Sequence, residues 1–138
     1  MAKESSSPRP SDPGGYLGCQ ARLQALAQET PSLTAACLST LDGKVRAYVA
    51  ASGEPAGARM AALSSSFLAL ADAFAKDVLK GSTRYAVVVT EFGTICSARV
   101  PIGKNSLALS IATDTTETVA LSLRLTLDTA DLLARLLT

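Results

Sequence analysis

GARMAALSSSFLALADAFAKDVLK, residues 57–80, spaces its large apolar side chains as a helix does. Met60, Leu63, Phe67, Leu70 and Phe74 recur three and four residues apart, which puts them on one stripe. A second line, Leu68, Ala71, Ala75 and Leu79, runs beside the first and widens the apolar face. No charge stands between Arg59 and Asp72, so the first three turns have no strongly solvated side. At about 1.5 Å per residue the helix is roughly 36 Å long, the width of a small domain. A helix of this kind needs cover on two sides, its own domain on one and something else on the other. Full burial of the five stripe residues is worth on the order of 10 kcal/mol gross, too much to leave in water. Two uses of the stripe stay open at this point: packing on the chain's own sheet, or a seam shared with another molecule.

The segments on either side supply that sheet. Residues 33–41 and 44–51 read as two strands, joined at Asp42-Gly43, a pair that tolerates the positive φ of a tight hairpin. In the second, Val45, Ala47 and Val49 alternate with Lys44, Arg46 and Tyr48, giving one buried and one wetter face. Glu54 and Pro55 suit the entry of the long helix, and Lys76, Lys80 and a left-handed Gly81 suit its exit. Residues 83–91 form a third strand whose Val87, Val88 and Val89 are apolar on both faces, which predicts a sheet covered on both sides. Turns at Phe92-Gly93 and at residues 101–105 (PIGKN) then deliver strands at 94–100 and 106–113. In the last of these, Leu107, Leu109 and Ile111 face one way, and Ala108, Ser110 and Ala112 the other. The small side lets a helix come close.

Two further helices frame the set. Cys19, Leu23 and Leu26 at i, i+4 and i+7 predict a short first helix from Tyr16, ended by Pro31. The last segment alternates Val119, Leu121, Leu123, Leu125 and Leu127 as a strand would. Its leucines are nevertheless good helix formers, and Asp114 with Glu117 three residues on resembles a capping box. A helix beginning near Thr115 is the expectation. Residues 1–15 hold Ser, Pro and Gly with no large apolar group and are expected to be a disordered tail, leaving 16–138 as one domain. The fold class is α+β, with element order αββαβββα.

Composition narrows the function. The chain has 138 residues, of which 48% are hydrophobic and 18% charged, with a net charge of +1. Its thirteen Lys and Arg are scattered, so no basic patch points to nucleic acid or an anionic membrane. Low charge close to balance promotes association. No apolar run approaches the roughly 20 residues of a spanning helix, and the opening Met-Ala-Lys-Glu has no apolar signal core. The three cysteines, Cys19, Cys37 and Cys96, are widely spread and read as reduced and structural, so a soluble cytoplasmic protein is expected.

Chemistry is scarce. The chain has no His, which excludes Ser-His-Asp and Cys-His catalysis and His-based zinc. Gly103-Lys104-Asn105 departs from a phosphate loop, because Ala98 stands where its first Gly belongs and Asn105 where Ser or Thr belongs. Asp128 and Asp131, about a turn apart, read as a solvated helix face. No catalytic, cofactor-binding or metal-ligating residue is expected, and the chain reads as a non-enzyme. The candidate site is a partner interface: Arg59, Met60, Leu63, Phe67, Leu70 and Phe74 on the helix, with Tyr85, Val87 and Val89 on the third strand.

This order of elements, the Asp42-Gly43 hairpin, the Ala/Leu/Ser helix at 57–80 and the run AVVVTEFGTICSARVPIGKNSLALSIA at 86–112 resemble the roadblock/dynein light-chain family. Among its bacterial members, the resemblance is to the MglB-like regulators of Ras-like small GTPases. It implies a five-stranded antiparallel sheet, with the first and last helices on one face and the central helix on the other. It also implies homodimers in which third strands pair edge to edge and central helices lie side by side. The implied function is a non-enzymatic regulator or scaffold that binds a Ras-like small GTPase and modulates its GTP hydrolysis. The alternative is a structural dimerisation module of a larger complex that never meets a GTPase.

Overall fold

The computed structural model describes residues 15–51 and 56–138. The expected tail, apart from Gly15, and the helix-entry residues Glu54 and Pro55 lie outside the described residues. The elements are α1 (Leu17–Glu29), β1 (Leu33–Thr40), β2 (Val45–Ala50), α2 (Gly57–Leu79), β3 (Tyr85–Thr90), β4 (Gly93–Ile102), β5 (Asn105–Thr113) and α3 (Val119–Leu137). The strands form one antiparallel sheet in the order β2-β1-β5-β4-β3, with α1 and α3 on one face and α2 on the other. The expected fold class and element order are those observed.

Turn chemistry sets the sheet's register. At the β1–β2 hairpin Gly43 has φ +94°, and a Cβ there would stand 3.2 Å from Ser65 Oγ and 3.5 Å from the Ala62 Cα. The glycine therefore supplies both the left-handed turn and the close approach of the hairpin to α2. Thr40 Oγ1 donates to the Asp42 carboxylate across the same turn. At the β3–β4 turn Gly93 has φ +147°, and a Cβ would fall 2.0 Å from the Thr113 carbonyl oxygen. No other residue fits there.

The main core lies between the sheet and the α1/α3 layer. Cys19, Leu23 and Leu26 of α1 meet Ala36, Leu38, Ala47, Val100, Leu107, Leu109 and Ile111 of the sheet and Ala130 and Leu133 of α3. The expected apolar side of β5 is thus the core side. Polar groups inside this layer find each other: Thr113 Oγ1 and Ser122 Oγ are 2.6 Å apart, and Thr126 Oγ1 donates to the Ser122 carbonyl at 2.9 Å.

The opposite face is built from small residues. Cys37, Ser39, Ser97, Ala108 and Ser110 are buried there, and the Ser97 and Ser110 hydroxyls share a hydrogen bond of 2.6 Å. Over this floor α2 turns inward only Ala61, Ser64 and Leu68, at i, i+3 and i+7. Small side chains on both sides let the helix backbone settle close to the sheet, so of its large side chains only Leu68 is fully buried beneath it.

Two helix ends differ from expectation. The C-cap of α2 is Lys80, left-handed at φ 59°, rather than Gly81. α3 starts at Val119, not near Thr115, and its cap is Thr118, whose hydroxyl accepts from Leu121 N at 3.2 Å. Asp114 is engaged in a local turn, accepting from the Thr116 amide and hydroxyl, and Glu117 accepts from Ser32 Oγ at 2.8 Å. The carboxylate pair fits a capping box in spacing only.

Candidate functional site

The two margins of the sheet are β2 and β3, and among the described residues only β2 is dressed. Gln20 of α1 reaches over it, donating Nε2 to the Tyr48 carbonyl at 2.8 Å and accepting the Tyr48 amide at 2.8 Å through Oε1. The Arg46 guanidinium stacks 5.4 Å from the centre of the Tyr16 ring. β3 has no strand beyond it among the described residues, and Tyr85, Val88 and Val89 are exposed along it. The sequence pattern predicts a sheet covered on both sides here; among the described residues it is not, because β3 is the last strand and α2 lies mainly over β1, β2 and β5.

The large residues of α2 point toward this open margin or into solvent. Leu63 is 62% exposed, Leu70 72% and Phe74 69%, whereas Met60 and Phe67 are half-buried and Arg59 is exposed. Arg59, Met60, Leu63 and Phe67 line a cleft of about 310 Å³ whose floor is Val88, Ile95 and Ser97. Phe67, Leu70 and Phe74 line a second groove along the helix, and Phe74 joins Val78, Leu79 and Tyr85 around a third. The predicted helix residues therefore form one surface, whose far end reaches Tyr85 at the start of β3, although register pairs Tyr85 with Ala98 on the α3 side.

Val87 and Val89 do not belong to that surface. Strand register pairs Val87 with Cys96 and Val89 with Thr94, whose side chains face α3, while Val88 pairs with Ile95 on the α2 side. Val89 is 63% exposed on the α3 side. Sequence reasoning missed Val88 and Ile95, and the signal was strand parity: with β4 opposed to β3, the residue between Val87 and Val89 must face the helix.

A polar lock sits where α2 hands the chain to β3. Asp72, its side chain only 15% exposed, accepts from the Thr83 amide at 2.9 Å, with Lys76 Nζ at 3.0 Å and Arg99 of β4 at 3.7 Å. The Thr83 amide, then Lys76, hold its carboxyl below the usual Asp range. Two of the buried thiols are unreactive. Burial pushes the Cys37 thiol up to about 11 and raises that of Cys96, so neither is a nucleophile at neutral pH. Asp128 pairs with Arg124 at 3.5 Å on an exposed helix face. Among the described residues no group of three or more His, Cys, Asp or Glu side chains converges to hold a metal ion. No helix among them is long and apolar enough to cross a membrane.

No protein-family model matches this chain, and no curated protein does. Solved structures do. A roadblock/LC7 domain from Streptomyces avermitilis superposes with a TM-score of 0.73 at 19% identity, over 84% of this chain and 94% of that one. An MglB in a tetrameric arrangement gives 0.73 at 22% identity, over 88% of each. The gliding protein MglB of Thermus thermophilus gives 0.72 at 21%, over 88% of this chain and 89% of that one. At these identities the agreement concerns the backbone, and on that ground the chain has the roadblock/LC7 fold, the architecture also seen in MglB.

Proposed function

We propose that this chain is a non-enzymatic, cytoplasmic, homodimeric regulator or scaffold that binds a Ras-like small GTPase and modulates its GTP hydrolysis. The observation that carries the dimer is the uncharged face made by Leu63, Leu70 and Phe74 beside the open strand β3. In the proposed arrangement β3 pairs with the β3 of a second copy, and the two α2 helices lie side by side over the joint sheet. Such pairing satisfies the outer row of peptide groups on β3 and removes the greasy helix face from water in one step. The seam then contains Met60, Leu63, Phe67, Leu70, Phe74, Tyr85 and Val88. Arg59, at the charged end of the uncharged turns, is placed to meet an acidic group of a partner.

Support for the GTPase comes from the fold shared with MglB and from the sequence resemblance to regulators of Ras-like small GTPases. The absence of His and the unreactive buried thiols favour a role without chemistry of its own.

Sedimentation gives the first test: a dimer is expected, and a well-behaved monomer removes the proposal. The second mixes the dimer with Ras-like GTPases loaded with GDP or a GTP analogue, and follows co-purification and turnover. Binding that depends on the nucleotide is the expected result. A dimer that binds none of them in either state leaves the alternative, an assembly module whose partners are indifferent to GTP. The α2/β3 face accounts for that module equally well.

A further inference from the structure

The two halves of α2 are held in different ways. Ala61, Ser64 and Leu68 are buried against the sheet, but beyond Leu68 no residue of the helix is buried. Residues 69–79 nevertheless carry Leu70 and Phe74, 72% and 69% exposed. Among the described residues, the side-chain hydrogen bonds and ion pairs from this half to anything outside the helix all run through Asp72. It accepts the Thr83 amide at 2.9 Å, two residues before β3 begins, and stands 3.7 Å from Arg99 of β4. The Arg99 contact is long and partly solvated, so the Thr83 bond is the stronger anchor.

We infer that Asp72 is a positioning residue: through the Thr83 amide it holds the C-terminal half of α2 at a fixed offset from β3, so that both parts of the partner surface engage a second copy together. The inference rests on the dimer reading above. Without the anchor, α2 is free to swing about Leu68 on its short connection to β3. The ordering of Leu70 and Phe74 then falls on the association step and weakens it. Because Asp72 lies outside both apolar layers, the fold survives its loss.

The test uses the full chain as wild type, D72A and D72N, with sedimentation for self-association and amide hydrogen exchange for residues 69–79. D72A is expected to weaken self-association about tenfold or more, through lost preorganisation. It should also speed exchange in 69–79 while β1 and β5 stay protected. D72N keeps a side-chain carbonyl for the Thr83 amide and should recover most of both effects. A purely structural role would raise exchange in β1 and β5 as well, and that result overturns the inference. So does a D72A dimer as tight as wild type, or a D72N variant that recovers nothing. A wild type that sediments as a monomer defeats the dimer reading first, and the inference falls with it.

Discussion

The sheet ends in two edges built to opposite rules. At β2, charged Lys44 and Arg46 are exposed, and Gln20 of α1 takes both the amide and the carbonyl of Tyr48. At β3, Val88, Val89 and Tyr85 are exposed, and the nearest helix presents Leu63, Leu70 and Phe74 to solvent. Edge strands invite pairing, and proteins that stay monomeric blunt them with charge or cover. Among the described residues, this chain does so at one margin only. The bare edge is therefore selective: the same fold had the means to close it.

The strongest perturbation falls on the β3 margin. Leu63 is 62% exposed in the single chain, so Leu63→Arg leaves the fold intact. A buried arginine at the seam costs about 2 kcal/mol per copy on the scale of an interface hot spot. A two-fold interface counts it twice, so dimerisation should weaken on the order of a thousandfold. Sedimentation over a concentration series reads this directly. An unchanged dimer would place the seam elsewhere. Phe67→Asp, at a half-buried position, should dissociate the dimer and also lower the unfolding midpoint.

The next effect tests the strand rather than the helix. Val89→Lys gives β3 the kind of charge that β2 already carries. The span of strand preferences is about 1 kcal/mol; counted twice, that weakens the dimer roughly thirtyfold. The monomer's circular dichroism should not change. If Val89→Lys leaves the dimer alone while Leu63→Arg destroys it, association runs through the helices and β3 stays unpaired.

Much of this was legible from local chemistry. Asp42-Gly43 located the hairpin because few pairs accept its backbone angles. The Leu/Ala alternation of β5 told which side is core and which side admits a helix. The final helix was readable against its own strand-like alternation through leucine's helix propensity. What failed depended on partners distant in sequence. Asp114 and Glu117 had capping spacing, but Ser32, 85 residues from Glu117, had a better use for that carboxylate. The triple valine reads as a buried strand because composition reports apolarity, not whether the cover belongs to the same chain. The α2 stripe left two uses open for the same reason. Ala61 and Ser64 turn inward only because the floor opposite is also small, a fact that needs the register of four strands. Gln20 carried no signal at all.

Gln20→Ala tests the covered edge, and its effect is smaller. It removes two hydrogen bonds from Tyr48, whose peptide groups then face water or stay unpaired. A net loss of about 1 kcal/mol is expected, lowering the unfolding midpoint by about 4 °C in a chain of this size. Dimerisation through β3 should be unchanged, which separates the two margins. A Gln20→Ala variant that forms larger assemblies would show that cover alone keeps β2 silent.

The mildest perturbation is a change of pH, and it sets the same two ends side by side. Asp42 at the β2 hairpin is held low chiefly by the Thr40 hydroxyl, with Lys44 and Arg46 adding to it. Asp72 before β3 is held low by the Thr83 amide, then by Lys76. Both carboxyls are more acidic folded than unfolded, so their contributions are complete above about pH 4, the ordinary Asp value. They are lost as the pH falls through the lower folded values. The unfolding midpoint should therefore be level at mild pH and decline in acid, with Asp42→Asn and D72N each removing part of the decline. The dimer should distinguish them. Protonating Asp72 removes its ionic contacts with Lys76 and Arg99 but leaves an oxygen to accept the Thr83 amide, so the half of α2 that carries Leu70 and Phe74 loosens only slightly, whereas protonating Asp42 loosens a hairpin outside the seam. Acid dissociation of the dimer should thus be slightly blunted in D72N and unchanged in Asp42→Asn. Equal blunting by both variants would mean that acid acts on the whole fold, and that the two edges are coupled through the sheet between them.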